Sequence, residues 1–116
     1  MIVSAGGTGG HLFPAEALAW VLAARGWEIH LATDHRAENY GQTFPAKETH
    51  IVRSATPSGR SAMEIAKAAL ALFSGYRQAK RLVSQLEPSV AVGFGGYPSV
   101  PPMMAAARSG VPTVIH

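Results

Sequence analysis

The chain has 116 residues, 47% of them hydrophobic and 15% charged, with a formal net charge of +3 and no cysteine. A chain of this size buries roughly 65% of its unfolded surface, enough for one core. Disulfides and thiolate metal sites are excluded, and neither a membrane span nor a signal peptide is expected from its apolar runs.

Taken in order, short apolar β-type runs alternate with helical patterns. Met1–Ala5 reads as a strand, and Pro14–Arg25 as a helix with proline in its first turn and Gly26 just past its end. Trp27–Thr33 is a second strand, Asp34–Phe44 a short helix and loop, and His50–Arg53 a third strand. A Ser/Pro/Gly-rich loop over 54–63 leads into a long helix from about Ala62 to Leu86, stopped by Glu87-Pro88. Ser89–Val92 is a fourth strand, followed by a second glycine loop, "GFGGYPS". Val100–Arg108 is a helix begun by prolines, and Val111–His116 a fifth strand. This alternation predicts an α/β fold, a doubly wound, Rossmann-like parallel sheet with strand order 3-2-1-4-5. A final strand with no helix after it reads as an incomplete domain.

The first glycine loop, "GGTGG" (Gly6–Gly10), follows strand 1, and the second follows strand 4. In the expected order these strands are neighbours at the point where the chain reverses direction, where open α/β sheets bind ligands. Each loop precedes a helix N-terminus, whose free amides and dipole favour an anion such as phosphate. The alternative reading is two tight turns. The dinucleotide fingerprint fails, because Leu12 stands where its third glycine is needed, although Asp34 could imitate the ribose-binding acid. The P-loop pattern fails too, for want of a Lys-Ser/Thr pair.

His11 opens a helix beside this crevice and could take a proton from an attacking hydroxyl. The helix dipole there disfavours the imidazolium. A cap or packing role is the alternative. His116, at the end of strand 5, is a second candidate; His30 sits within a strand, while His35 and His50 read as surface or strand-end residues.

"GGTGGHLFPAEALA" (Gly6–Ala19), "GFGGYPSVPP" (Gly93–Pro102) and "GVPTVIH" (Gly110–His116) resemble the MurG family of peptidoglycan N-acetylglucosaminyltransferases. The resemblance runs over essentially the whole chain. It implies a two-domain glycosyltransferase of the GT-B kind, with residues 1–116 as a single incomplete acceptor-side domain and a C-terminal donor-binding domain outside them. By that resemblance Gly6, Gly7, Thr8, Gly9 and Gly10, with Gly95, Gly96, Tyr97 and Ser99, hold the acceptor's pyrophosphate, and Thr8–Gly10 also face the UDP-GlcNAc donor. His11 matches the proposed base for the MurNAc 4-hydroxyl in an inverting transfer from UDP-GlcNAc to a polyprenyl-pyrophosphoryl-sugar acceptor. His116 matches the start of a further motif. The resemblance also implies a peripheral enzyme at the cytoplasmic face of the bacterial inner membrane. No cofactor, metal or nucleic-acid partner is expected. Two other classes stay open: a non-catalytic membrane-docking acceptor subunit, and a dinucleotide-binding oxidoreductase domain.

Charge is uneven, with a net of −1 over residues 1–56 and +4 over 57–116. This fits an anionic partner or an ordinary solvated face. On the long helix, Ile65, Ala69, Leu72, Tyr76, Ala79, Val83 and Leu86 form the expected core stripe. About a quarter-turn away lie Ala66, Leu70 and Phe73, followed by Arg77, Lys80 and Arg81. A shallow apolar patch with a cationic end suits an anionic membrane surface. Cover by a neighbouring helix is the alternative.

Overall fold

Five short apolar runs pair into one parallel sheet: β1 (Ile2–Ser4), β2 (His30–Thr33), β3 (Glu48–Ile51), β4 (Ala91–Gly93) and β5 (Thr113–Ile115). The strand order is β3-β2-β1-β4-β5, as the sequence predicts. The structure is a computed structural model that describes residues 1–39, 43–55 and 61–116. The Ser/Pro/Gly-rich loop therefore lies, over 56–60, outside the described residues.

β1 is central and buried on both faces, as strands covered by helices on both sides must be. Its residues Ile2, Val3 and Ser4 pair with His30, Leu31 and Ala32 of β2 and with Ala91, Val92 and Gly93 of β4. The period of two then sorts the core. Val3, Leu31 and Val92 pack with Leu12, Ala15 and Ala19 of α1 (Gly9–Ala24). Ile2, Ala32 and Ala91 face Ala79, Leu82 and Val83 of α2 (Ala62–Leu86) and Ala105 and Ala106 of α3 (Val100–Arg108).

The element limits differ from expectation in informative places. α1 begins at Gly9, five residues before Pro14. Proline already has a helical φ and withholds only the hydrogen bond to the residue four back, which here is Gly10, whose backbone tilts easily. Gly9, Gly10 and His11 are thus the first turn of a helix. Tyr97–Ser99 is a 3₁₀ turn that runs straight into α3. β3 starts at Glu48, so His50 lies inside a strand.

The expected core stripe of α2 is covered only from Leu72 onward; Ile65 is 55% exposed and Ala69 is also exposed. The reason is length. A helix of 25 residues runs about 37 Å, whereas strands of three or four residues span only about 10–13 Å. Its N-terminal turns overshoot the sheet and are held instead by a capping box between Ser61 and Glu64. At its other end Glu87 takes a left-handed conformation, φ 42°, before Pro88, which disfavours a further helical residue.

Gly75 sets how closely α2 approaches the chain leaving β3. A Cβ there would overlap the Arg53 carbonyl, with Pro101 of α3 on the far side. Alanine is favoured over glycine in helices by about 1 kcal/mol, yet Gly75→Ala is expected to destabilise the protein by about 2 kcal/mol through overpacking. Urea denaturation checks this; an unchanged or raised midpoint refutes the close approach.

Candidate functional site

Both glycine loops leave the carboxyl ends of adjacent strands, so they meet at one crevice. The first runs from β1 into α1, the second from β4 into the 3₁₀ turn and α3. Their backbones need glycine: Gly7, Gly95 and Gly96 have φ of 82°, 91° and 78°, the left-handed region that side chains disfavour. Crowding adds to this. A Cβ on Gly96 would come within 2.8 Å of the Gly6 carbonyl, and one on Gly6 within 3.0 Å of Pro98. The two loops are in close approach, and a side chain on Gly6 or Gly96 would not fit.

His11 joins the two. Its ring fills the space that a side chain on Gly95 would need, at 3.2 Å, and lies 3.4 Å from the corresponding point on Gly96. The imidazole is half-buried, in the first turn of α1. Thr8, the N-cap, makes no side-chain cap, and the first turn of α1 carries no acidic residue. The His11 amide closes back on the Thr8 carbonyl at 3.1 Å, so the amides that this helix start can turn toward the crevice are those of Gly9 and Gly10.

Ser99 is buried and secures the second loop. Its hydroxyl lies 2.6 Å from the Gly95 carbonyl, to which it donates, and 3.1 Å from the Ser4 carbonyl at the end of β1. The Phe94 amide also donates to the Ser4 carbonyl, at 2.8 Å. Tyr97 and Thr8 are exposed at the rim. His116 lies just past β5, its ring stacked on Phe94 at 5.1 Å and its amide donating to the Gly93 carbonyl.

One cation at the crevice carries no signal in the sequence. Arg36, in the 3₁₀ turn His35–Asn39 after β2, lies beside Gly7, 3.2 Å from where a side chain there would begin. Its Nε donates to Asp34 Oδ2 at 2.6 Å. Asp34 is thereby committed to orienting a cation beside the first loop. Its Oδ1 and the Thr33 hydroxyl are buried with no hydrogen-bond partner among the described residues.

A second surface lies along α2 and α3. Leu70 and Phe73 are exposed, at 68% and 60%, and Arg77, Lys80 and Arg81 are exposed beyond them. Phe73 also lines a mostly apolar cavity of about 310 Å³ with Tyr76, Val100, Pro101 and Met104, and Arg108 sits over the Tyr76 ring. Val100 and Met104 extend the apolar strip onto α3, which helical periodicity within α2 could not reveal. No helix among the described residues is long and apolar enough to cross a membrane.

The glycosyltransferase family 28 N-terminal domain matches residues 1–116, the whole of this sequence. The chain belongs to glycosyltransferase family 28. Among its relatives, the UDP-N-acetylglucosamine--N-acetylmuramyl-(pentapeptide) pyrophosphoryl-undecaprenol N-acetylglucosamine transferases of Rhizobium leguminosarum bv. trifolii and Allorhizobium ampelinum are 54% and 56% identical over all 116 residues. The chain spans 31% of the length of each. The crystal structure of Acinetobacter baumannii MurG superposes with a TM-score of 0.80 at 28% identity, covering 99% of this chain and 34% of that one. The kitacinnamycin glycosyltransferase shares the fold, with a TM-score of 0.73 at 22% identity over 98% of this chain and 29% of that one.

Within the family 28 fold, Leu12 stands where a dinucleotide-binding loop would need its third glycine. Here it is a buried core residue of α1. The crevice instead depends on Ser99. Ser99→Ala is expected to cost about 1–2 kcal/mol, because it strands the Gly95 carbonyl in a confined turn. Chemical denaturation measures it, and a variant as stable as the parent would show that the hydroxyl does not hold the loop.

Proposed function

We propose that the protein transfers N-acetylglucosamine from UDP-GlcNAc to the MurNAc 4-hydroxyl of undecaprenyl-pyrophosphoryl-MurNAc-pentapeptide, with inversion. Residues 1–116 then form the acceptor-side domain, and donor binding falls mainly to a second Rossmann-like domain beyond them. The observation that carries this reading is His11 seated against the Gly95–Gly96 turn. One titratable side chain thus stands where two glycine loops converge.

In this mechanism the acceptor pyrophosphate lies on the loop amides of Gly9, Gly10, Gly95 and Gly96, where the α1 dipole favours its charge. Arg36, held by Asp34, offsets further negative charge beside Gly7. Gly6 and Gly7 let the backbone approach closely, Thr8 and Tyr97 line the rim, and Ser99 fixes the second loop. Thr8–Gly10 also face the donor, and His116 closes the β5 side. His11 accepts the proton of the 4-hydroxyl as its oxygen forms the bond to the anomeric carbon. The bond from that carbon to the UDP oxygen breaks on the opposite face, which inverts the centre and gives a β-1,4 link.

His11→Ala is expected to lower kcat by about 10²–10⁴-fold with little change in KM for UDP-GlcNAc, as loss of a general base does. Steady-state kinetics on the intact protein check it. Near-normal turnover removes His11 from the chemistry.

The acceptor carries a lipid anchor, and the α2–α3 strip supports peripheral docking at the cytoplasmic face of the inner membrane. Leu70 and Phe73, with Val100 and Met104, form a shallow apolar patch. Arg77, Lys80 and Arg81 supply cations worth about 1 kcal/mol each near anionic headgroups. Phe73→Ser combined with Arg77→Glu is expected to weaken binding to anionic phospholipid vesicles at least tenfold in a flotation assay. Unchanged binding by a stably folded variant sinks the docking face.

A further inference from the structure

Away from the crevice, on the α2 face of the sheet, two strands bring together two histidines and two glutamates. His30 opens β2 and His50 lies inside the edge strand β3; Glu48 pairs with His30 across the ladder. Because alternate residues share a face, His30, Glu48 and His50 all project to the same side. His30 Nδ1 and His50 Nε2 are 3.0 Å apart, and a Glu48 carboxylate oxygen is 3.9 Å from that same His50 nitrogen. All three ligand atoms fall within 4.8 Å of one another.

The bonds around this cluster choose the tautomer. Glu28 Oε1 accepts from His30 Nε2 at 3.1 Å, while Glu28 Oε2 is held by Lys47 Nζ at 2.8 Å. In the neutral ring, the proton on Nε2 leaves the Nδ1 lone pair aimed at His50. A carboxylate on the outer nitrogen of an imidazole is the usual partner of a metal-bound histidine; it fixes the ring and raises its basicity. His30 is buried, His50 sits at the rim, and Glu48 is exposed, so two sites of the three are preset and the third is free to swing in.

We propose that His30, His50 and Glu48 bind one divalent transition-metal ion of the zinc type, with Glu28 as the positioning residue behind His30. Two imidazoles and a carboxylate are a borderline-hard N₂O set, suited to Zn²⁺ or Co²⁺. Tetrahedral bonds of about 2.1 Å need ligand atoms about 3.4 Å apart. The observed separations bracket that value. The His50 Nε2–H donates to His30 Nδ1 at 3.0 Å, and ion binding replaces that hydrogen bond as His50 turns and shifts its proton to Nδ1. The fourth position opens to solvent, beside a groove that His50 shares with Gln78, Arg81 and Gln85 of α2. Arg81 in the groove and Lys47 on Glu28 oppose the ion, and the carboxylates of Glu28 and Glu48 balance these two cations.

The site lies three residues, about 10 Å, before the carboxyl end of β2. The ion therefore sits apart from the crevice. It staples the edge strand β3, otherwise largely exposed, to β2 and is independent of the proposed transfer reaction.

The test uses intact protein stripped with a chelator and titrated at neutral pH with ZnCl₂ by calorimetry, then with CoCl₂, whose visible spectrum reports tetrahedral nitrogen and oxygen ligands. The expected result is one saturable equivalent, with a raised Tm. Affinity should fall at least tenfold in His50→Gln and in Glu48→Gln, two substitutions near the surface that spare the buried His30. His35→Gln, on a different part of the surface, should bind as the parent does. Glu28→Gln should weaken binding about 10–100-fold while leaving the ligands in place. Absence of a saturable equivalent overturns the proposal. So does binding that survives His50→Gln or is lost in His35→Gln, since the ion would then sit on unrelated surface histidines.

Discussion

The junction between β1 and β4 governs this molecule. Two strands far apart in sequence lie side by side in parallel, and the Ser4 carbonyl at the end of one accepts from the Phe94 amide at the end of the other. The Ser99 hydroxyl bridges the same carbonyl to Gly95. Once those ends are aligned, both glycine loops must open on the same side of the sheet. The α1 N-terminus, the Gly95–Gly96 turn and the His11 ring then share one small volume. An insertion at this junction, or bulk on Gly6 or Gly96, would push these groups apart.

The sheet also keeps its tasks apart. The two glycine loops and His11 belong to the carboxyl ends of the strands, where the start of α1 points. The apolar strip belongs to the outer surface of α2 and α3. Leu70 and Phe73 lie on a face of α2 about a quarter-turn from its core stripe and stay exposed, and Leu70 also falls in the N-terminal turns that overshoot the short strands. The histidine–glutamate cluster belongs to the third region, the β2–β3 edge. None of the three regions competes with another for the same side chains, except where Arg81 borders both the cationic end of α2 and the groove beside His50.

Much of the fold is legible in the residues. Apolar runs separated by helical patterns dictate a parallel sheet, and the right-handed crossover leaves few orders open. The two glycine loops identify the crevice for the same reason, since glycine is demanded wherever the backbone turns left-handed. The start of α1 is less legible. Four glycines and a proline argue against a helix, yet the first turn forms because the tertiary setting holds Gly9 and Gly10 in it and Pro14 tolerates helical φ. His50 is misread for a related cause: a strand edge is invisible until its partner strand is known.

Periodicity, glycine content and the motif around His11 determine by themselves that this is a doubly wound α/β chain with two glycine loops meeting at its switch point. These properties are local, each set by a few neighbouring residues and their backbone preferences. Tertiary structure alone decides what lies across the chain from what. It brings Arg36 to Gly7, the Ser99 hydroxyl to the Ser4 carbonyl, Met104 to Phe73, and His30 to His50. Those pairings depend on strand register and helix length, which arise only when separated segments bury their apolar faces together.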